Sequence, residues 1–225
     1  MQLNKVRAYF YEFLARILSF ANNDEYKIIL EQARFFYDNL EDLKEEFKAI
    51  LDCSFDEYKK EQNAVFYDFS YVNVPFDASF YDEGRDNGQL KIKTIKIFNK
   101  ASISKSISDN EDSFNVLFFA QAYFCKHNQD EFAKELFADV INCVINEFSQ
   151  ALKEHKSSIL FAHIAKIIDY LVDIERLHYS LSAPSVKKNY IALSMEKKPF
   201  QTRLPTQFSK INMQELTSFK EHIDE

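Results

Sequence analysis

Two glycines and four prolines in 225 residues give this chain few places to turn sharply. These residues make most tight turns and hairpins, so their scarcity argues against β architectures and against loops that cradle phosphate. Long helices joined by few loops remain, and both glycines, Gly84 and Gly88, fall in one central stretch. The apolar fraction of 46% is enough for a packed core. The expected fold is all-α, a single-domain helical bundle of roughly eight to eleven helices with a long central loop.

Periodicity places the elements. Leu3, Val6, Phe10, Phe13, Leu14, Ile17 and Leu18 recur at helical spacing over 3–21, with Lys5, Arg7, Glu12 and Arg16 on the other faces. Asn22 or Asn23 can cap a helix over 24–38 with Ile28, Ile29, Phe35 and Phe36 inward. A charged helix follows near 40–51. Ser54 with Glu57 reads as a capping box, opening a helix to about Phe69. Residues 70–89 break the pattern. It resumes over 89–100 with Leu90, Ile92, Ile95 and Phe98, where the isoleucines at 92, 95 and 97 also admit a strand. A Ser-rich linker covers 101–111. A helix that is apolar on most faces then opens at Asp112, followed by helices over 129–154 and 157–179. From Ser180 the text turns polar and holds three prolines, so an irregular tail over 180–225 with a short helix near 213–223 is expected.

Several chemistries lack their residues. There is no HExxH, no His-Asp dipeptide and no Cys/His cluster, so no metal site is expected. Neither nucleotide-binding glycine motif nor a GxSxG elbow occurs, and Gly84 and Gly88 are flanked by acids that would repel phosphate. No cofactor and no catalytic residue is expected. Cys53, Cys125 and Cys143 are odd in number and widely spaced, which reads as reduced thiols. A net charge of −7 suits a cationic partner better than nucleic acid. The tail carries seven Lys and Arg against five acids, a weak basic bias of +2. The N-terminal apolar run holds Glu12 and Arg16 and lacks a small-residue cleavage site, so it reads as an amphipathic helix and not a signal peptide. No apolar stretch is long enough to span a membrane, and a cytoplasmic location is expected.

The stretch 66–86 is the most informative. Asp68, Asp77, Asp82, Glu83 and Asp86 oppose Arg85 alone, and Phe66, Tyr67, Phe69, Tyr71, Phe76, Phe80 and Tyr81 interleave with them. An aromatic surface rimmed by carboxylates complements a peptide with basic residues beside an apolar run. The same residues also suit a loop that buries its own aromatics under a solvated acidic skin.

Within it, VPFDASFY (Val74 to Tyr81) resembles the Pro-x-x-x-Ser-x-Tyr loop of the TorD/DmsD/NarJ-type chaperones for molybdenum oxidoreductases. NAVFYDF, with Val65-Phe66, is similar to the acidic–aromatic segment that precedes that loop. EDSFNVLFFAQAYF takes the place of the family's central helix, with Asp112 as the Asp of its Asp-His pair. RAYFYEFLARIL and SSILFAHIAKIIDYLVDIE resemble the family's first and late helices, so the likeness runs patchily over 7–176. Two departures stand out: Ser113 replaces the family His, and Leu117 replaces a Glu one turn later.

The resemblance implies a chaperone without turnover, not an enzyme. Residues 1–179 would be the chaperone domain. It would bind the twin-arginine leader and apo form of a molybdopterin oxidoreductase, supporting cofactor insertion before export. Formate dehydrogenase and the dimethyl sulfoxide or trimethylamine N-oxide reductases are all compatible clients. The implied peptide-binding residues are Pro75, Phe76, Asp77, Ser79, Tyr81, Glu83, Asp112 and Ser113, with Asp112 and Asp77 or Glu83 facing the arginines. Asp112 also suits a plain helix cap. The expected assembly is a monomer or a helix-exchanged dimer, with no stable membrane insertion. A small helical hydrolase with an unrecognised site, or a generic helical scaffold, are the alternatives.

Overall fold

The computed structural model describes residues 2–68, 73–85 and 87–184. The chain divides into two units, Met1–Ile191 and Ala192–Glu225. The second unit, with the helix expected near 213–223, lies outside the described residues. Among the described residues the regular structure is helical, and the strand alternative for 92–97 is excluded. In order come α1 (Gln2–Leu18), α2 (Asn23–Asn39), a single turn (Glu41–Leu43) running into α3 (Lys44–Leu51), and α4 (Phe55–Gln62). Then follow α5 (Ala78–Glu83), α6 (Gln89–Lys100), α7 (Phe114–Lys126), α8 (Asp130–Leu136), α9 (Asn142–Glu154) and α10 (Leu160–Tyr179). Wide π-type turns extend α4 over Asn63–Tyr67 and join α8 to α9 over Phe137–Ile141.

The caps follow the chemistry of the sequence. Asn22 accepts from the Asp24 and Glu25 backbone N–H groups while Glu25 accepts from the Asn22 N–H. Ser54 and Glu57 repeat the arrangement at α4. Each satisfies donors that a helix start leaves open.

Packing centres on α7, which α1 runs along, and on the α9–α10 pair. Phe114, Leu117, Phe118 and Phe124 are fully buried, as the apolar text of α7 requires. Phe10, Phe13, Phe36 and Phe47 form one ring cluster and Phe114 stacks on Phe148 at 3.9 Å. Phenylalanine needs no buried hydrogen-bond partner, so a core without Trp can be aromatic and dry.

The apolar stripes are narrower than periodicity alone implies. Leu3, Val6, Ile28, Phe35, Ile92 and Ile95 face solvent, while Ile29, Phe36, Leu90, Ile97 and Phe98 are buried. Arg7 is the opposite correction. It lies inside, 2% exposed, paired through Nε and Nη2 with the fully buried Glu175 of α10. Ile159 is exposed because α10 begins one residue later.

The start of α10 lacks a local cap. Glu61 of α4 supplies it from far along the chain, its Oε1 accepting from the N–H groups of Ile159 (2.7 Å) and Phe161 (2.8 Å). A carboxylate at a helix N-terminus satisfies open donors and opposes the positive end of the dipole. Glu61→Ala should therefore cost about 1 kcal/mol and lower Tm by about 2–4 °C, with Glu61→Gln in between, read by thermal denaturation. An unchanged Tm for Glu61→Ala would mean that water caps α10 equally well.

Candidate functional site

Residues 73–85 form a built clasp, not an open loop, beside the wide turn Asn63–Tyr67. The Val74 N–H donates to the Val65 carbonyl at 2.9 Å, returning the chain across the end of α4. The Phe76 ring meets Phe66 edge-on at 5.2 Å. Residues 76–79 then lie against the segment entering α7. The Phe114 N–H donates to the Phe76 carbonyl and the Ala78 N–H to the Asp112 carbonyl, with Asp77 and Ser113 bridged antiparallel.

Here the expected long loop contains a helix, α5. Its cap comes from Asp112, whose Oδ2 accepts from the Ser79 N–H at 2.9 Å. Asp112 itself does not open α7, which begins at Phe114 behind Ser113. Ser113 donates its hydroxyl to one Asp77 oxygen, and the Asn110 amide donates to the other.

The motif residues close the clasp from within. The Tyr81 hydroxyl donates to the Pro75 carbonyl at 2.8 Å, and its ring packs edge-on against Phe114 and Phe148. Burial pushes the Tyr81 hydroxyl well above the usual tyrosine range, so it stays a donor. Ser79 links α5 to α6, its hydroxyl accepting from the Lys91 N–H at 3.1 Å. Glu83 accepts from the Gln89 N–H at 3.1 Å and also pairs with Arg85. Thus α5 supplies two of the caps of α6.

Both glycines serve this geometry. Gly84 ends α5 with φ of 70°, in the left-handed region. A Cβ on Gly88 would stand 3.1 Å from the Glu83 carboxylate and from Ser79 Cβ, closer than atoms normally pack.

All eight candidate residues therefore come together, in two sets. Ser79, Tyr81, Asp112 and Ser113 are buried, with Asp112 fully enclosed; Pro75, Phe76, Asp77 and Glu83 are half-exposed. Asp112 and Ser113 act on the clasp from below, and their placement offers a bound peptide no direct surface. Burial, reinforced by the neighbouring Asp77, holds the Asp112 carboxyl above the usual carboxylate range despite the Ser79 hydrogen bond.

Three contributors escape a local reading of the sequence. Asn110 ties Asp77 to the Lys91 ammonium, and Phe148 backs Tyr81 from a distant helix. Phe20 and Tyr67, both exposed, stand edge-to-face at 6.0 Å. Tyr67 touches Phe66, so ring contacts run from Phe76 through Phe66 and Tyr67 to Phe20. The Lys59 ammonium lies over the Phe20 face, the position a cation takes on a ring. Asp86, Phe69 and Tyr71 lie outside the described residues.

Among the described residues no group of His, Cys, Asp and Glu is arranged to hold a metal ion, and Cys53, Cys125 and Cys143 form no disulfide with one another. Burial pushes the Cys125 thiol up to about 12, which leaves it inert as a nucleophile at neutral pH. No described helix is long and apolar enough to cross a membrane.

No protein-family model matches this chain, and no curated protein matches it. A crystal structure from Archaeoglobus fulgidus, of a provisionally assigned redox enzyme maturation protein, has a similar fold. The likeness covers 74% of this chain and 93% of that one, with a TM-score of 0.57 and 16% sequence identity. At that identity it establishes a shared all-α architecture.

Proposed function

We propose that this chain is a redox enzyme maturation chaperone that binds the twin-arginine leader and the apo form of a molybdopterin oxidoreductase, acting before export and without turnover of its own. The observation that carries the reading is the fate of the Pro75, Ser79 and Tyr81 motif. Its residues form the internal ties of one clasp whose outer side presents Phe76 beside carboxylates. The maturation-protein likeness of the fold supports the same class.

Recognition would divide the labour. Phe76 and the adjoining aromatic rings take the leader's apolar run, while Asp77 and Glu83 attract its arginines as charge-assisted pairs. Pro75 restricts φ, and the Tyr81 and Asp112 ties hold the clasp in shape, so less order is lost on binding. Burying three or four apolar side chains at ~1.5–3 kcal/mol each, less the ordering costs, gives a complex in the micromolar range.

Calorimetry with a synthetic twin-arginine leader tests this. Phe76→Ala should weaken binding about tenfold through lost contact area, and rising salt should weaken it further for every variant. Tyr81→Phe should keep most affinity, since the ring stays and one hydrogen bond goes, whereas Tyr81→Ala should lose as much as Phe76→Ala. No heat with any leader, together with no molybdoenzyme subunit co-purifying, would sink the reading.

A further inference from the structure

The end of α6, the linker after it and α7 enclose an open cavity of about 460 Å³, walled by Phe98, Ile103, Ile107, Val116, Phe119 and Ala120. Volumes of this size hold a few side chains or one small ligand. The linker alternates along it: Ser102, Ser104 and Ser106 are exposed, while Ile103, Lys105 and Ile107 are half-buried. That period of two belongs to a strand, yet no neighbouring strand is present among the described residues. The Ile103 N–H donates to the Phe98 carbonyl, but from Ser104 to Ser108 no backbone-to-backbone hydrogen bond is made among the described residues. Such a row of open donors and acceptors is a template for an added strand.

Lys105 is the charged residue among those that line the cavity. Its ammonium and that of Lys91 both pair with the Glu111 carboxylate, at 3.3 Å and 3.5 Å. The stem of Lys105 lines the cavity, and its ammonium also donates to the Asp109 carbonyl.

We infer that this groove binds an extended apolar peptide segment carrying an acidic residue, added as a short strand beside 103–107, with apolar side chains in the cavity and the carboxylate toward Lys105. The polarity is opposite to that of a basic leader, so the two segments would not compete. The inference rests on the proposed function only for the origin of the peptide, an incompletely folded client.

The test uses the full chain and a fluorescein-labelled peptide, acetyl-Thr-Val-Glu-Val-Phe-Val-Thr-amide, read by anisotropy, with leader calorimetry in parallel. The peptide should bind, and N-methylating alternate amides should weaken it about tenfold by removing ladder hydrogen bonds. Exchanging its Glu for Lys should weaken it about fivefold, and Lys105→Glu should reverse that preference, a readout that a merely structural lysine would not move. Ala120→Phe, which fills the cavity, should abolish peptide binding and leave leader binding intact. Equal binding of the N-methylated peptide, or no reversal by Lys105→Glu in a folded variant, would overturn the inference. Loss of leader binding in folded Ala120→Phe would also overturn it, by making the cavity part of the leader site. A peptide that binds as described while no leader binds would remove the leader reading and leave this one standing.

Discussion

Glu175→Gln should destabilise the protein by about 3–5 kcal/mol, measured by urea denaturation, the penalty for leaving a buried guanidinium without its anion. The pair is inside: Arg7 Nε to Glu175 Oε1 is 2.6 Å, Nη2 to Oε2 is 2.7 Å, Tyr179 and Asn4 accept from two of the other N–H groups, and the exposed Asp130 stands 3.9 Å from Nη1. Desolvation works against the Arg7 charge, but the hydrogen-bonded Glu175 outweighs it and holds the guanidinium above its already high range. Arg7→Met should cost a similar amount, because it strands the carboxylate instead. The double variant Arg7→Met with Glu175→Leu should recover most of the loss, since well-packed apolar residues often replace a buried pair without penalty. Single variants that cost under about 1 kcal/mol would show that water reaches the pair.

Asp112→Ala should weaken leader binding more than tenfold and cost about 1–3 kcal/mol, while Asp112→Asn should restore both. An Asn carbonyl can accept from the Ser79 N–H as the carboxylate does, and α5 keeps its cap. The pH dependence separates a positioning role from a charge role. The Asp112 carboxyl is raised in the fold, by burial first and by Asp77 second. Its contribution to stability is therefore fully present below the unfolded pKa and is lost as pH rises through the higher folded value. Compared by denaturation between about pH 4 and pH 7, Asp112→Asn should gain on the parent protein as pH rises. If the parent instead gains with pH, the Asp112 charge has a partner, and its direct role toward arginine would return.

Much of this architecture could be read locally. Asn22 with Glu25, Ser54 with Glu57, and the all-round apolar text of α7 each dictate their element from a few neighbouring residues. What could not be read depends on partners far along the chain. No local residue announces α5, because its cap is the side chain of Asp112, 33 positions away. The cap of α10 is likewise Glu61, and Arg7 looks like a surface residue until Glu175 arrives. Ile92 and Ile95 fit a helical stripe by spacing, yet α6 buries Leu90, Thr94, Ile97 and Phe98 instead. The candidate residues were legible as a set. Which of them are ties and which are surface was not, since Ser79, Tyr81 and Asp112 differ from Phe76 and Glu83 only in what packs over them.

The bond between Arg7 and Glu175 spans 168 positions, and this sets a timetable for synthesis. At about 5–20 residues per second, roughly ten to thirty seconds separate the arrival of one partner from that of the other. For the first two thirds of that interval α1 has no complete α7 to lie along, and α10 is unfinished throughout it. A nascent chain arrested before α10 should therefore be captured by general chaperones and cut readily by proteases, and both vulnerabilities should vanish together once Tyr179 has emerged. A protein proposed to shelter another's unfinished fold would itself need shelter until α10 is made.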